Sequence, residues 1–140
     1  MAGIKDLGTL LSSIDPVLDE RSFVFCTFPE FHWDDVHQLN PIGFFHEKEG
    51  LTLIITQQEA INKNINYESV YKLISLNVHS SLDAVGLTAA FSTKLAEKNI
   101  SANVVAAYYH EHIFVPEEKA EQALAAISEF RLQSHPVRLK

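Results

Sequence analysis

The sequence predicts an α+β protein: two βαββα units packed as one body, with antiparallel sheets and helices on one face. Three observations lead there. Apolar residues alternate at period two in some short runs and recur at helical spacing in others, in the order strand, helix, strand, strand, helix. That order occurs twice along the chain. Fragments of the first copy also return in the second: "FFHE" from Phe44 reappears as "YYHE" from Tyr108, and "LIITQQEA" from Leu53 as "IFVPEEKA" from Ile113. The offsets are 64 and 60 residues, so the first copy carries a turn four residues longer.

The elements follow in order. Ile4, Leu7, Leu10, Leu11 and Ile14 form one helical stripe, and Asp15-Pro16 ends it. Ser22 to Phe28, "SFVFCTF", is aromatic and β-branched and reads as a strand. Glu30 to Asn40 is polar with Trp33, Val36 and Leu39 at helical spacing, a short helix or loop whose aromatic residues pack on the core. Ile42 to Glu47 and Leu51 to Thr56 are strands joined at "KEG", where Gly50 suits a hairpin turn. Gln57 to Asn64 is helical, and Val70 to Val78 is a strand.

Ser80 and Ser81 are N-cap types, and Ser80 with Asp83 resembles a capping box with the shorter acid. They introduce a helix over Leu82 to Lys98. Its buried stripe is Ala84, Leu87, Phe91 and Leu95, and Lys94 and Lys98 sit at its negative end. Asn99-Ile100 closes it. Asn103 to Tyr109 and His112 to Val115 are strands, with one ring of each aromatic pair, Phe44-Phe45 and Tyr108-Tyr109, on either strand face. Pro116, Glu117 and Glu118 start a last helix running to about Phe130, and "VRL" near the end reads as a short strand.

Composition narrows the function. Net charge is −7 with pI near 5.4 and no Lys/Arg cluster, which argues against a nucleic-acid partner. No apolar run approaches the roughly 20 residues of a membrane span, and "MAGIKDLGTLLSSIDP" lacks the pattern of a secretory signal. One cysteine, Cys26, allows no internal disulfide and points to a reducing, cytoplasmic compartment. Placed mid-strand among phenylalanines, it reads as a buried inert thiol.

The histidine and glutamate pairs decide between enzyme and binding module. His110 and His112, two apart on a strand, face the same way and could share a metal. His46 in the first copy has no second histidine, and no third ligand follows from spacing. The pairs sit at corresponding hairpins, so they read as repeated architecture. No metal and no cofactor are expected. Neither a complete nucleophile constellation nor a G-x-x-x-x-G-K-[ST] loop is present, so no catalytic residue is assigned.

From Ser81 to Pro116, "SLDAVGLTAAFSTKLAEKNISANVVAAYYHEHIFVP", the chain resembles an ACT domain. Asp83, Gly86 and Leu87 match that family's turn into its first helix. Leu95-Ala96-Glu97-Lys98 matches the helix end, and Asn99-Ile100 with Asn103 the start of the next strand. Val85 stands where the family usually has proline. The whole chain is similar to small stand-alone bacterial proteins with two ACT domains, and to the regulatory ACT units of aspartate kinase. The resemblance implies two ferredoxin-like βαββαβ units, residues 1–65 with an extra N-terminal helix and residues 66–140. The first unit's fourth strand would come from "DPVLD" at Asp15 or the start of Val70 to Val78.

The resemblance also implies a non-catalytic regulatory or sensing module that binds a small amino acid or related metabolite and forms a homodimer. The alternative is an oligomerisation or protein-interaction module without a small ligand. The implied ligand site is Ser80, Ser81, Leu82, Asp83, Ala84, Val85, Gly86 and Asn103. Its chemistry is that of a helix N-terminus, which offers free N–H groups to a carboxylate. Gly86 permits close approach, Asp83 would take an ammonium, and Asn103 would hydrogen-bond either group.

Overall fold

The computed structural model describes residues 7–77 and 86–133. The elements are α1 (Leu7–Ser12), β1 (Pro16–Phe28), α2 (Trp33–Gln38), β2 (Gly43–Glu47), β3 (Gly50–Thr56), α3 (Gln57–Asn62), β4 (Tyr71–Leu76), α4 (Leu87–Glu97), β5 (Asn103–Ala106), β6 (Glu111–Pro116) and α5 (Ala120–Gln133), the last preceded by a 3₁₀ turn at Glu117–Lys119. Expectations for Ile4, for Ser80 to Val85 and for "VRL" lie outside the described residues. The chain forms two compact units, Glu20–Lys72 and a second made of Met1–Asp19 with Leu73–Lys140.

The hydrogen-bonded order of the six strands is β2-β3-β1-β4-β6-β5. Asn77 N–H donates to the Asp15 carbonyl at 2.9 Å, and Lys72 Nζ donates to the Glu20 carbonyl at 2.6 Å. As one strand advances the other retreats, so β1 and β4 run antiparallel. Each also begins in one unit and ends in the other. The order explains the fourth strands of the α+β, ferredoxin-like pattern. For β1-α2-β2-β3-α3 the fourth strand is β4, and for β4-α4-β5-β6-α5 it is the opening of β1. Of the two candidates read from the sequence for the first unit's fourth strand, the start of Val70 to Val78 takes that place, and the chain after Asp15 serves the second unit instead.

In Glu20–Lys72, β1 and β3 pair with Val24 opposite Ile55, Cys26 opposite Leu53 and Phe28 opposite Leu51. These alternate positions share a face. Val24, Cys26, Leu51, Leu53 and Ile55 form the core with Val36 and Leu39 of the α2 segment and Ala60 of α3. A two-residue turn, Lys48-Glu49, links β2 to β3. Thr56 caps α3, its Oγ1 accepting from Glu59 N–H at 3.1 Å.

In the other unit α4 and α5 pack on each other and on α1. Leu87, Phe91 and Leu95 are buried, as the helical stripe predicted, against Ile14, Ile74, Leu76, Ile113, Val115, Ala123 and Ile127. Lys94 reaches from α4 to Glu129 of α5 at 3.1 Å and lies over the Phe130 ring.

Several boundaries differ from expectation. The first strand starts at Pro16, six residues before Ser22, because Asp15-Pro16 ends the helix and passes straight into extended chain. The long helix opens at Leu87, not Leu82. Gly86 is its N-cap with φ +94°, which right-handed helix cannot accommodate, so no helix runs through it. Ser80 and Ser81 are not the caps of α4. The strand from Asn103 stops at Ala106, and Tyr108 and Tyr109 lie in the following turn with both rings exposed. Phe44 and Phe45 alternate on β2 as expected, but both are exposed, because β2 is an outer strand in the order. Trp33 is also exposed and not a core residue.

Candidate functional site

Gly86 is the one residue of the predicted segment Ser80 to Gly86 within the described region. It is the N-cap of α4 and makes no side-chain cap hydrogen bond. A Cβ built there would stand 3.2 Å from Leu7 Cδ2, so α1 bounds one side of this helix end. Asn103 opens β5 opposite Phe114. Its Nδ2 donates one hydrogen bond, to the Phe114 carbonyl at 3.3 Å, within its own hairpin.

Side chains that the sequence reading did not place there also reach this end of α4. Glu111, first residue of β6, hydrogen-bonds the Thr88 side chain in the first turn of α4. Burial pushes the Glu111 carboxyl up, and the Thr88 contact opposes that only in part. Among the described residues Glu111 Oε2 and His110 Nδ1 are buried without a hydrogen-bond partner. Two residues on, His112 Nδ1 lies 2.7 Å from Ser75 Oγ of β4. Burial lowers the His112 pKa, and His110 lowers it further. His110 and His112 have ring centroids 6.5 Å apart. Thr88 and Ser75 left no mark in the sequence pattern, since an isolated hydroxyl residue on a helix or strand has no distinctive spacing.

The Glu20–Lys72 unit holds a hollow of about 230 Å³. Phe28, Phe31, Val36, Leu39 and Ile65 supply its apolar lining, and Glu30, Asp35, Gln38 and Lys63 its polar one. Beside it is an exposed aromatic group. Trp33 meets Phe31, Phe44 and His46 at centroid distances of 5.0, 5.4 and 5.7 Å. Cys26 is buried, its Sγ donating to the Leu53 carbonyl at 3.7 Å, and burial raises its pKa from 9.0 to about 11. The thiol therefore stays protonated near neutral pH.

Among the described residues no three His, Cys, Asp or Glu side chains come together as a metal site, and no helix is long and apolar enough to cross a membrane.

Two family models, each described as an ACT domain, match residues 2–72 and 68–129. A Vibrio cholerae crystal structure is 51% identical over 93% of this chain and 99% of its own, with TM-score 0.82. It is described as a protein of unknown function and possible transport protein. The ligand-free regulatory subunit of Thermus thermophilus aspartate kinase is 11% identical over 84% of this chain and 97% of its own, TM-score 0.60. The aspartate kinase of Clostridium acetobutylicum is 10% identical over 86% of this chain and 35% of its own, TM-score 0.62. At those identities the kinase structures share the fold. No curated protein matches the chain.

Proposed function

We propose, proceeding from the fact that this chain belongs to the ACT domain family, that it is a non-catalytic regulatory module sensing a small amino acid or related metabolite. The binding segment is Ser80, Ser81, Leu82, Asp83, Ala84, Val85 and Gly86, with Asn103 on the adjoining strand. The observation that carries the reading is the opening of α4. Its N-cap is a glycine with φ +94° and no side chain, so no cap side chain competes with a ligand carboxylate for the first-turn N–H groups. Asp83 receives the ammonium, and Glu111, drawn to the same turn through Thr88, adds a second carboxyl. Occupancy acts on function by favouring one conformational or assembly state over another. The setting is a reducing, cytoplasmic one, in keeping with a single buried cysteine.

A thermal-shift panel of the common amino acids tests this. A ligand at about 100 times its Kd adds about 2.7 kcal/mol to stability and raises Tm measurably. Asp83→Asn should abolish that rise while leaving the unliganded Tm unchanged. If no amino acid shifts Tm, the interaction module without a small ligand takes its place. That second reading has its own support in the exposed aromatic residues of β2.

A further inference from the structure

We infer that the hollow of the Glu20–Lys72 unit is a ligand site of its own, built for a small apolar amine: a compact hydrocarbon or aryl body that carries one ammonium and no carboxylate. It goes beyond the amino-acid site proposed at α4 and does not rest on it.

The hollow exists because the helix layer of this unit is short. α3 has six residues, whereas α5, which follows the third strand of the other unit, has fourteen. At about 1.5 Å per residue α3 rises roughly 9 Å, while the seven residues of β3 span roughly 23 Å. α3 alone therefore cannot roof its strand. In the other unit the later turns of α5 bury Ala126, Ile127 and Phe130 in the core. Here the chain stops instead. Asn64 turns left-handed at φ +57°, and Ile65 N–H closes on the Ala60 carbonyl at 2.8 Å. A hydrogen-bonded stop of this kind holds the helix at that length and keeps the space beyond it open.

That space measures about 230 Å³. It is somewhat smaller than the ~300–1,000 Å³ of sites for drug-sized ligands, so its occupant is small. Val36 and Leu39 belong to the core of the unit and are 4% and 6% exposed. With half-buried Phe28, Phe31 and Ile65 they make a floor suited to hydrocarbon. The floor is the core itself, uncovered at one place.

The polar side chains select the charged end. Glu30, Asp35, Gln38 and Lys63 line the hollow and are exposed. Among the described residues the ion pairs involve neither Glu30, Asp35 nor Lys63, so their charges are free to meet a ligand. Carboxylates outnumber ammonium two to one there, in a chain of net charge −7. A bound ammonium meets opposite charge from both acids. A bound carboxylate meets like charge from both, with Lys63 alone to offset it. The Gln38 amide oxygen is a further acceptor, and the Phe31 ring attracts a cation to its face. A zwitterion brings its second charge into the same acidic surroundings, so the same body without its carboxylate is the better fit.

Trp33 makes occupancy visible. It is the only tryptophan, and its ring lies 5.0 Å from that of Phe31. Titration of the full chain with isoamylamine, leucine and isocaproate compares one branched body bearing an ammonium, both charges, or a carboxylate alone. Trp33 fluorescence should change saturably with the amine, roughly tenfold more weakly with leucine, and not with isocaproate. Glu30→Gln combined with Asp35→Asn alters only exposed side chains and should weaken amine binding roughly tenfold or more. Gln38→Phe, which sets a ring across the hollow, should abolish it. The same variant should leave intact any rise in Tm that an amino acid produces through α4, so the two sites fail separately. Absence of a saturable amine signal overturns the site, as does a signal unaltered by Gln38→Phe. Leucine or isocaproate binding as tightly as the amine overturns the ligand class, as does amine binding that survives the loss of both carboxylates.

Discussion

Gly50 holds the sharpest constraint at the residue scale. Its φ is +152°, and a Cβ there would lie 2.7 Å from the Phe28 carbonyl and 2.9 Å from Pro29 Cα. Neither neighbour is a side chain that can move aside. Gly50→Ala should therefore cost about 1–3 kcal/mol, read as a lower urea midpoint at unchanged slope. Two adjacent residues give opposite pH signatures. The folded His112 pKa lies below its ordinary 6.5, so its contribution is present above pH 6.5 and lost as pH falls through the folded value. The folded Glu111 pKa lies above its ordinary 4.5, so its contribution is present below pH 4.5 and lost as pH rises through the folded value. Stability measured against pH should lose the first slope in His112→Asn and the second in Glu111→Gln. If His112→Asn leaves the profile near neutrality unchanged, burial beside Ser75 does not govern that histidine.

Helix ends explain both what could be read from the sequence and what could not. Three helices close on asparagines in the left-handed region, Asn40 at φ +50°, Asn64 at +57° and Asn99 at +60°. After α4, Asn99 N–H bonds the Ala96 carbonyl and Ile100 N–H the Leu95 carbonyl, both at 2.9 Å. After α3, Asn64 and Ile65 repeat the pattern on Ile61 and Ala60 at 3.2 and 2.8 Å. Each is a Schellman closure, with the following isoleucine turned back toward the core. The Asn-Ile stop at 99–100 was legible because asparagine tolerates this conformation and a buried apolar residue follows. The start of α4 was less legible. Serines and an aspartate compose a cap on paper, but the positive φ of Gly86 interrupts the helical pattern behind them. The Tyr108-Tyr109 turn was missed for a similar reason: aromatic residues favour strands, and only tertiary placement shows them exposed. Asn99→Ala should cost about 1 kcal/mol, because alanine lacks the short polar side chain that lets asparagine occupy the left-handed region, whereas Asn99→Gly, with no Cβ to clash, should cost little. Equal losses in both variants, by chemical denaturation, would mean that the asparagine side chain and not its backbone closes the helix.

For the whole molecule the question is how many folding units the chain contains. The repeat in the sequence suggests two, and each compact unit has its own buried cluster. The strand order argues for one cooperative transition instead. β1 and β4 each belong to both units, so loss of either strand removes a first strand from one unit and a fourth from the other. The sequence revealed two tandem units, but its fragment alignment fails: "FFHE" lies in β2 whereas Tyr108, Tyr109 and His110 lie in the turn before β6, and the turn after β2 is the shorter one. The sharing was not revealed, because a fourth strand supplied from elsewhere in the chain leaves no local pattern. The solitary tryptophan makes the matter measurable. Trp33 reports only on the Glu20–Lys72 unit, whereas far-ultraviolet circular dichroism reports on the whole chain. Phe91 is fully buried in the other unit, and Phe91→Ala should cost about 3–5 kcal/mol there. If the shared strands couple the units, that substitution should lower the unfolding midpoint seen by Trp33 fluorescence as much as the one seen by circular dichroism. Two separated transitions, with the tryptophan signal unmoved by Phe91→Ala, would show that β1 and β4 can be released from one unit while still held in the other.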